Sequence, residues 1–207
     1  MKVLLVNGSP KKEGCTYTAL KEVSNALNNE GIETEIYWIG NKPISGCRGC
    51  GACRNLKKCV IDDVVNEFNA KASTADGFIF GSPVHYASAS GSITSFLDRV
   101  FYSGKSNFVL KLGAVIVSAR RAGTTAALDQ LTKYLTISQM PVVSSKYWNM
   151  VHGNTPDDVL RDEEGLQTMR VLGNNMAYLL KCIKVGQDAG VTIPKAETPI
   201  ATNFIRN

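Results

Sequence analysis

The chain has 207 residues, of which 44% are hydrophobic and 20% are charged, a composition that excludes disordered and fibrous proteins. Its net charge of +5 comes from scattered basic doublets rather than a stripe or tail, which excludes a nucleic-acid partner and favours small anionic ligands. The apolar run after Met1 and Lys2 is too short for a signal sequence, and no later run could span a membrane. We therefore expect a cytoplasmic protein without a membrane partner.

The first part of the chain alternates between strand and helix patterns. The apolar run at 3–6 predicts a buried strand, and the apolar stripe after it predicts a helix that ends before Gly31. Regular alternation at 32–39 predicts a second strand. The segment at 40–61 has no period and is predicted to be a functional loop.

The same alternation continues to the last helix. Further strands are predicted at 77–81, at 112–118 and from Pro141 onward, with helices around 64–72, 96–101 and 128–135. An acidic loop is predicted at 157–164, a last helix at about 166–183 and a C-terminal tail at 186–207. This order predicts one α/β domain over 1–207, with a doubly wound, five-stranded parallel sheet and helices on both faces.

The loops that follow the strands of such a sheet are the expected ligand sites. The first reads G-S-P-K-K-E-G-C-T at 8–16, and it directs backbone N–H groups and a helix N-terminus to one point, as a phosphate cradle does. Ser9 and Thr16 add hydroxyl donors, Lys11 adds charge, and Gly14 permits close approach of the backbone. The loop matches neither the dinucleotide fingerprint nor the Walker pattern, and the alternative is an ordinary capped turn.

The loop at 81–91 follows the third strand and combines a proline with two aromatic rings and a run of small residues. Pro83, Val84, His85 and Tyr86 offer backbone groups to the edge of a flat heterocycle, and their side chains offer apolar and stacking surface. A surface turn with two incidental aromatic residues is the alternative.

The loop at 118–125 places a hydroxyl, two guanidinium groups and a glycine after the fourth strand. Ser118, Arg121 and Gly123 are its candidate ligand residues, since Arg120 or Arg121 could meet a carbonyl or a phosphate. Either arginine could equally be a solvated surface charge.

Four cysteines lie in the cysteine-rich loop at 43–60 in the pattern C-x-x-C-x-x-C-x5-C: Cys47, Cys50, Cys53 and Cys59. Sulfur ligands this close together can bind one four-iron cluster or one tetrahedral zinc ion if the backbone curls around it. Reduced or disulfide-forming thiols are the alternative.

Together, G-S-P-K-K-E-G-C-T and G-S-P-V-H-Y resemble the phosphate loop and the flavin-ring loop of the NAD(P)H-dependent FMN reductase family, which is flavodoxin-like. The resemblance covers nearly the whole chain. The cysteine pattern after the second strand resembles the iron–sulfur flavoprotein branch, in which FMN and a four-iron cluster occur together in a homo-oligomer.

The resemblance implies a set of ligand contacts. The phosphate of FMN would be bound by Ser9, Lys11, Gly14, Cys15 and Thr16, and its ring by Pro83 to Tyr86 and by Ser118 to Gly123, including Arg121. The four cysteines of the loop would ligate a [4Fe-4S] cluster. No catalytic acid or base is implied, although His85 or Tyr86 could assist a proton transfer.

The resulting hypothesis is an FMN-dependent oxidoreductase that passes electrons from NAD(P)H or ferredoxin to a second acceptor, through the cluster if it assembles. By resemblance we expect a homodimer or a homotetramer. Two alternatives stay open: a flavodoxin-type electron carrier without nicotinamide activity, and a zinc-binding regulatory module that has lost the flavin.

Overall fold

The computed structural model describes residues 1–198, 200 and 202. Its strands are β1 (Lys2–Asn7), β2 (Glu33–Trp38), β3 (Gly77–His85), β4 (Ser88–Ala89), β5 (Leu112–Ala119) and β6 (Met150–His152). Its helices are α1 (Cys15–Asn29), α2 (Cys53–Leu56), α3 (Val64–Ala72), α4 (Gly91–Ser103), α5 (Thr124–Ile137), α6 (Pro156–Arg161) and α7 (Glu163–Asp188), with a short 3-10 helix at Lys105–Asn107.

Five of the strands form one parallel sheet in the order β2-β1-β3-β5-β6, and β4 pairs antiparallel with the end of β3. The chain leaves β1 toward β2 and then returns to the other side of β1 to form β3. The carboxyl ends of β1 and β3 therefore flank the switch point, where ligands bind in open sheets of this kind. The predicted fold class is confirmed.

Helices cover both faces of the sheet and bury one hydrophobic core on each face. Leu4 and Val6 of β1 face the core formed with α3, α4 and α5. Val3 and Leu5 face the opposite core, formed with α1 and α7. Burial on both faces explains why β1 is a continuous apolar run rather than an alternating one. None of the described helices is both long and apolar enough to cross a bilayer.

The fifth parallel strand was predicted from Pro141 onward, and that position is wrong. Val142 makes only an isolated bridge with Gly113, and regular pairing resumes with β6, opposite the end of β5. Between them the Asn149 side chain donates to the carbonyl of Val115 at 3.1 Å and so occupies an acceptor that backbone pairing would use. The polar segment between these contacts leaves the sheet edge.

The predicted acidic loop at 157–164 is also wrong, because it contains α6 and the first turn of α7. Thr155 and Asp158 form a capping box at the start of α6, with Pro156 in the first turn. Asp162 caps α7 by accepting from the backbone N–H of Gly165. These acidic residues are N-terminal caps, which the helix dipole favours.

Helix α7 is longer than predicted at both ends, beginning at Glu163 and ending at Asp188. It therefore extends past Ile183 and into the segment predicted as tail at 186–207. Its last turn is exposed, so no apolar stripe marks it in the sequence. Residues 189–198 have no regular secondary structure, and part of the predicted tail lies outside the described residues.

Candidate functional site

The loop between β1 and α1 is held in shape by its own polar groups. The buried Asn7 side chain donates to the carbonyl of Lys12 at 3.0 Å and accepts from the N–H of Ser9 at 3.1 Å. The Ser9 hydroxyl accepts from the N–H of Lys11 at 3.1 Å. Hydrogen bonds of its own polar groups thus hold the loop in one conformation.

Helix α1 presents its N-terminus at the end of this loop. Within the described part of the chain no side chain caps α1, whose N-cap residue is Gly14. Four other helices are capped by side chains, those of Asp63, Ser90, Thr155 and Asp162. The first turn of this 15-residue helix therefore has N–H groups and a positive dipole end available to an anion.

Two predicted phosphate residues differ in their surroundings. The Lys11 side chain is exposed, whereas Cys15 is half-buried and its thiol lies 3.7 Å from the carbonyl of Gly153, beyond β6. Burial raises the pKa of the Cys15 thiol, so it stays protonated at neutral pH. Its backbone N–H, rather than its thiol, is the group available to an anion.

The first and third predicted loops meet through a pair of buried hydroxyls. Thr16 and Ser118 are 1% and 4% exposed, and their hydroxyl oxygens lie 2.8 Å apart. The first and second loops meet as well, because the N–H of Gly8 donates to the carbonyl of Gly81 at 2.9 Å. Three loops that were predicted separately are thus joined at the carboxyl edge of the sheet.

The second loop is a small hairpin whose tip projects outward. Strand β3 runs further than predicted, to His85, and β4 pairs back onto it. Tyr86 and Ala87 form the turn with φ of 50° and 58°, a strained left-handed conformation for residues with a Cβ. The side chains of His85 and Tyr86 are exposed, while the Gln130 side chain of α5 accepts from the Ser88 hydroxyl at 2.7 Å. The base of the hairpin is anchored, and its aromatic tip is accessible.

The remaining predicted ring residues are positioned by this hairpin and by the third loop. Pro83 and Val84 are half-buried in β3, and Arg121 is exposed. Gly123 has a φ of 87° and packs against the hairpin, where a Cβ would lie 2.6 Å from the Cα of Ala87. Gly123 thus serves the contact between two loops, a role that its sequence pattern did not indicate.

The cysteine-rich loop borders a separate cavity of about 400 Å³, which all four of its cysteines line. Cys47 and Cys50 are exposed, Cys53 and Cys59 are half-buried, and none is in a disulfide. Within the described residues, no three potential ligand side chains converge closely enough to hold a metal ion. The donor set fits a four-cysteine cluster, since all four thiols are free and border one cavity, but the loop must close to bring them together.

These features agree with the comparison against known protein families. The model of the NADPH-dependent FMN reductase family matches residues 1–155. The chain belongs to this family. It is a flavin oxidoreductase with a flavodoxin-like fold, as the resemblance implied.

Several relatives of this flavin oxidoreductase are named iron–sulfur flavoproteins. One from Methanocaldococcus jannaschii is 36% identical over 193 residues, covering 89% of this chain and 100% of that protein. Another, from Methanosarcina thermophila, is 28% identical over 192 residues, covering 91% and 100%. The flavoenzyme NAD(P)H:(acceptor) oxidoreductase of Paracoccus denitrificans has a TM-score of 0.66 at 16% identity, covering 87% and 97%, which shows similarity of fold.

Three residues of this FMN reductase family member escaped prediction although they hold the candidate sites together. Asn7 organises the first loop, the indole N–H of Trp38 donates to the carbonyl of Ser9 at 2.8 Å, and Arg99 borders the cysteine cavity. A polar residue at the end of a buried strand and a charge within an apolar helical stripe are signals that could have identified Asn7 and Arg99. Trp38 carries no comparable signal.

Proposed function

We propose that this flavin oxidoreductase couples FMN to a [4Fe-4S] cluster, receives electrons from NAD(P)H or ferredoxin, and delivers them to a second acceptor. The observation that supports this most directly is the single cavity lined by four free cysteines in a chain of the FMN reductase family. The names of the iron–sulfur flavoprotein relatives favour the same proposal.

The three joined loops have the groups that FMN requires. Ser9 and Thr16, with the first turn of α1, would bind the phosphate through hydroxyl and backbone donors. The exposed tip of the hairpin, with Tyr86, would lie against the ring. FMN, when bound, supplies the chemistry, since it exchanges electrons with both hydride donors and one-electron centres.

Helix α4 connects the proposed flavin and cluster sites. Its N-cap Ser90 donates its hydroxyl to the carbonyl of Gly8 at 3.0 Å, next to the phosphate loop. Arg99, which borders the cysteine cavity, lies on the same helix. At a helical rise of about 1.5 Å per residue, Ser90 and Arg99 are about 14 Å apart along the helix axis. One rigid element would therefore fix the spacing of the two redox groups.

The surface around the cavity favours an acidic electron-transfer partner. Arg48, Arg54, Lys57 and Lys58 are all exposed on the cysteine-rich loop. A basic rim of this kind attracts an acidic protein such as ferredoxin and makes association dependent on salt. An anaerobic stopped-flow experiment tests the donor: bleaching of the flavin by NADPH or NADH alone would identify a nicotinamide, and bleaching only by reduced ferredoxin would identify the carrier.

We further propose that the protein forms a homodimer or a homotetramer. The aromatic rings of Tyr147 and Trp148 contact each other at a centroid distance of 4.9 Å, tilted by 57°, and both side chains are more than half exposed. Exposed aromatic pairs are enriched in interfaces. Light scattering after size-exclusion chromatography gives the mass in solution, and a monomer would contradict this part of the proposal.

Anaerobic purification followed by flavin, iron, sulfide and zinc analysis tests the central proposal. We expect about one FMN and about four iron atoms per chain, with matching sulfide. Zinc in place of iron, in a colourless protein, would support the regulatory module and overturn the oxidoreductase. FMN without iron after reconstitution would leave a flavin enzyme and overturn the cluster.

A further inference from the structure

Arg99 is a charged residue buried within an apolar helix face. It lies on α4 between Leu97 and Val100, which both pack into the hydrophobic core, and it is only 1% exposed. Burying a charge in such a place is unfavourable unless the charge is paired and its hydrogen-bond donors are satisfied. The hydrogen-bond partners of Arg99 therefore indicate its structural role.

The guanidinium of Arg99 binds both ends of the cysteine-rich loop. Its two terminal nitrogens donate to the carboxylate of Asp63 at 2.7 and 2.9 Å, a bidentate ion pair. They also donate to the carbonyl of Ile61 at 2.9 Å and to that of Ser45 at 3.3 Å. Its Nε donates to the sulfur of Cys59 at 3.3 Å. One planar side chain thus joins the start of the loop, its end and one of its four thiols.

Cys59 is held from a second direction by Asn66 of α3. The N–H of Cys59 donates to the Asn66 side-chain oxygen at 3.0 Å, and the Asn66 amide donates to the carbonyl of Cys59 at 3.0 Å. Asp63 also accepts from the N–H of Val65 and so fixes the start of α3. The backbone and the sulfur of Cys59 therefore have fixed positions, while Cys47 and Cys50 are exposed.

The charge of Arg99 is retained in this environment. The carboxylate of Asp63 pairs with the guanidinium through two hydrogen bonds, which compensates the buried positive charge. An N–H donor and a positive charge at a ligand sulfur stabilise the more negative, reduced state of an iron–sulfur cluster.

We propose that Arg99 is a positioning residue that presets Cys59 as the fixed ligand on which the cysteine-rich loop closes, and that its N–H···S hydrogen bond raises the reduction potential of the cluster. This inference rests on the proposed function, because it concerns the cluster that Cys59 would ligate. It adds that the loop closes around one fixed ligand, with the exposed cysteines moving onto it.

The test compares the full-length wild-type chain with the double variant Arg99→Gln/Asp63→Asn, each reconstituted anaerobically with FMN, iron and sulfide. The double change removes the buried pair together, so no unpaired charge remains in the core. We expect unchanged circular dichroism and FMN content. We expect iron to be lost to a chelator about 10-fold faster, as for other partners of metal ligands, and the cluster potential to become more negative.

Two further variants show whether the effect on iron retention comes from the geometry of the guanidinium, from its charge or from a general loss of stability. Arg99→Lys keeps the charge but has no fork that can reach Asp63, Ile61 and Cys59 together, so we expect iron loss faster than in wild type. Arg170→Gln/Glu22→Gln removes an ion pair on the other side of the sheet and should behave as wild type.

The outcomes distinguish this inference from the proposed function. A wild-type chain that assembles no cluster would overturn the proposed function itself. A wild-type cluster together with a double variant of equal iron retention and equal potential would overturn only the role of Arg99. Wild-type iron retention in Arg99→Lys would show that positioning by the guanidinium fork is unnecessary and would also overturn it.

Discussion

The predicted phosphate loop at 8–16 and the cysteine-rich loop at 43–60 both leave the carboxyl edge of the sheet, but they differ in how far hydrogen bonds within the protein fix their geometry. At the first loop, Asn7 and Ser9 are buried, and the Asn7 side chain accepts from the N–H of Ser9 and donates to the carbonyl of Lys12. In the second, most residues are exposed, and only the segment around Cys59 is firmly bound. The two candidate sites therefore obtain their order from different sources.

Loop length and side-chain chemistry explain this difference. The phosphate loop is short and lies between a buried strand and a helix, so few conformations are accessible to it. The cysteine-rich loop is longer and has little apolar surface of its own to bury. A metal cluster would supply the missing free energy of ordering, because ligand bonds form only in the closed loop. We therefore expect the two sites to respond separately to mutation.

The largest expected effect is the loss of the cluster in Cys50→Ser. Cys50 is exposed and lies in the middle of the first three cysteines, so its loss removes a ligand without disturbing the core. We expect iron to be absent after reconstitution and FMN content to be unchanged, both measured per chain. Cys182→Ser, which changes an exposed cysteine on α7, is the control and should retain both. Parallel loss of FMN in Cys50→Ser would show that the two sites are not independent.

The next effect compares two glycines with positive φ, one in the loop at 118–125 and one in the cysteine-rich loop. Gly123 has a φ of 87° and no room for a Cβ beside the hairpin, whereas Gly51 has a φ of 70° and open space around it. Gly51→Ala should cost about 1–3 kcal/mol of backbone strain. Gly123→Ala should lower the free energy of unfolding by the same strain and by about 1–3 kcal/mol more, because the new Cβ overpacks against the hairpin.

Urea unfolding of the cluster-free protein measures both glycine variants, and a flavin titration of Gly123→Ala should show weaker FMN binding because the hairpin shifts. Equal losses of stability in the two variants would mean that the contact between the hairpin and the third loop is loose.

Much of this architecture could be predicted from the sequence because buried parallel strands leave a strong signal. The runs at 3–6 and 112–117 contain no polar side chain, which is why β1 and β5 were found close to their observed bounds. The edge strand β6 was missed because it is only three residues long and a side-chain amide interrupts the pairing before it. Short edge strands carry too few apolar residues to show a period.

The candidate sites were predictable in residue type but not in their connections. The hydroxyls of Thr16 and Ser118 were each predicted as donors, yet their mutual contact depends on how two distant loops pack. Arg99 was missed because its partners are distributed over a loop and a second helix, a set that only the folded chain brings together. Local sequence pattern therefore predicts donors, while tertiary packing determines their partners.

A smaller effect is expected from the hydroxyl pair that joins two of the loops. Thr16→Ala and Ser118→Ala each remove one side of a buried hydrogen bond, which should cost about 1 kcal/mol in unfolding free energy. The double variant should cost less than the sum, since the two groups interact directly.

We expect FMN affinity to fall about 10-fold in Thr16→Ala, because a phosphate donor is lost as well, and to be retained in Thr16→Ser. A flavin titration of each variant measures this. Unchanged affinity in Thr16→Ala would count against the phosphate cradle.

The smallest effect tests whether the phosphate loop depends on the neighbouring strand. The indole N–H of Trp38, at the end of β2, donates to the carbonyl of Ser9 at 2.8 Å, and Trp38→Phe removes that donor while keeping an aromatic ring. We expect a loss of about 1 kcal/mol in FMN binding, or about fivefold in affinity. Trp148→Phe is the matched control, because the exposed Trp148 packs on Tyr147, far along the chain from the loop.

The chain has two tryptophans, so each variant leaves a single tryptophan whose fluorescence can be measured alone. Trp38 lies against the phosphate loop, so FMN should strongly quench its emission in Trp148→Phe. FMN should quench the emission of Trp148 in Trp38→Phe less. Because Trp38 ends the strand that leads into the cysteine-rich loop, reconstitution of the cluster in Trp148→Phe should then change the Trp38 emission a second time. If the emission of Trp38 changes with FMN but not with the cluster, the phosphate loop does not sense the state of the cysteine-rich loop. The two sites would then be structurally independent on either side of Trp38.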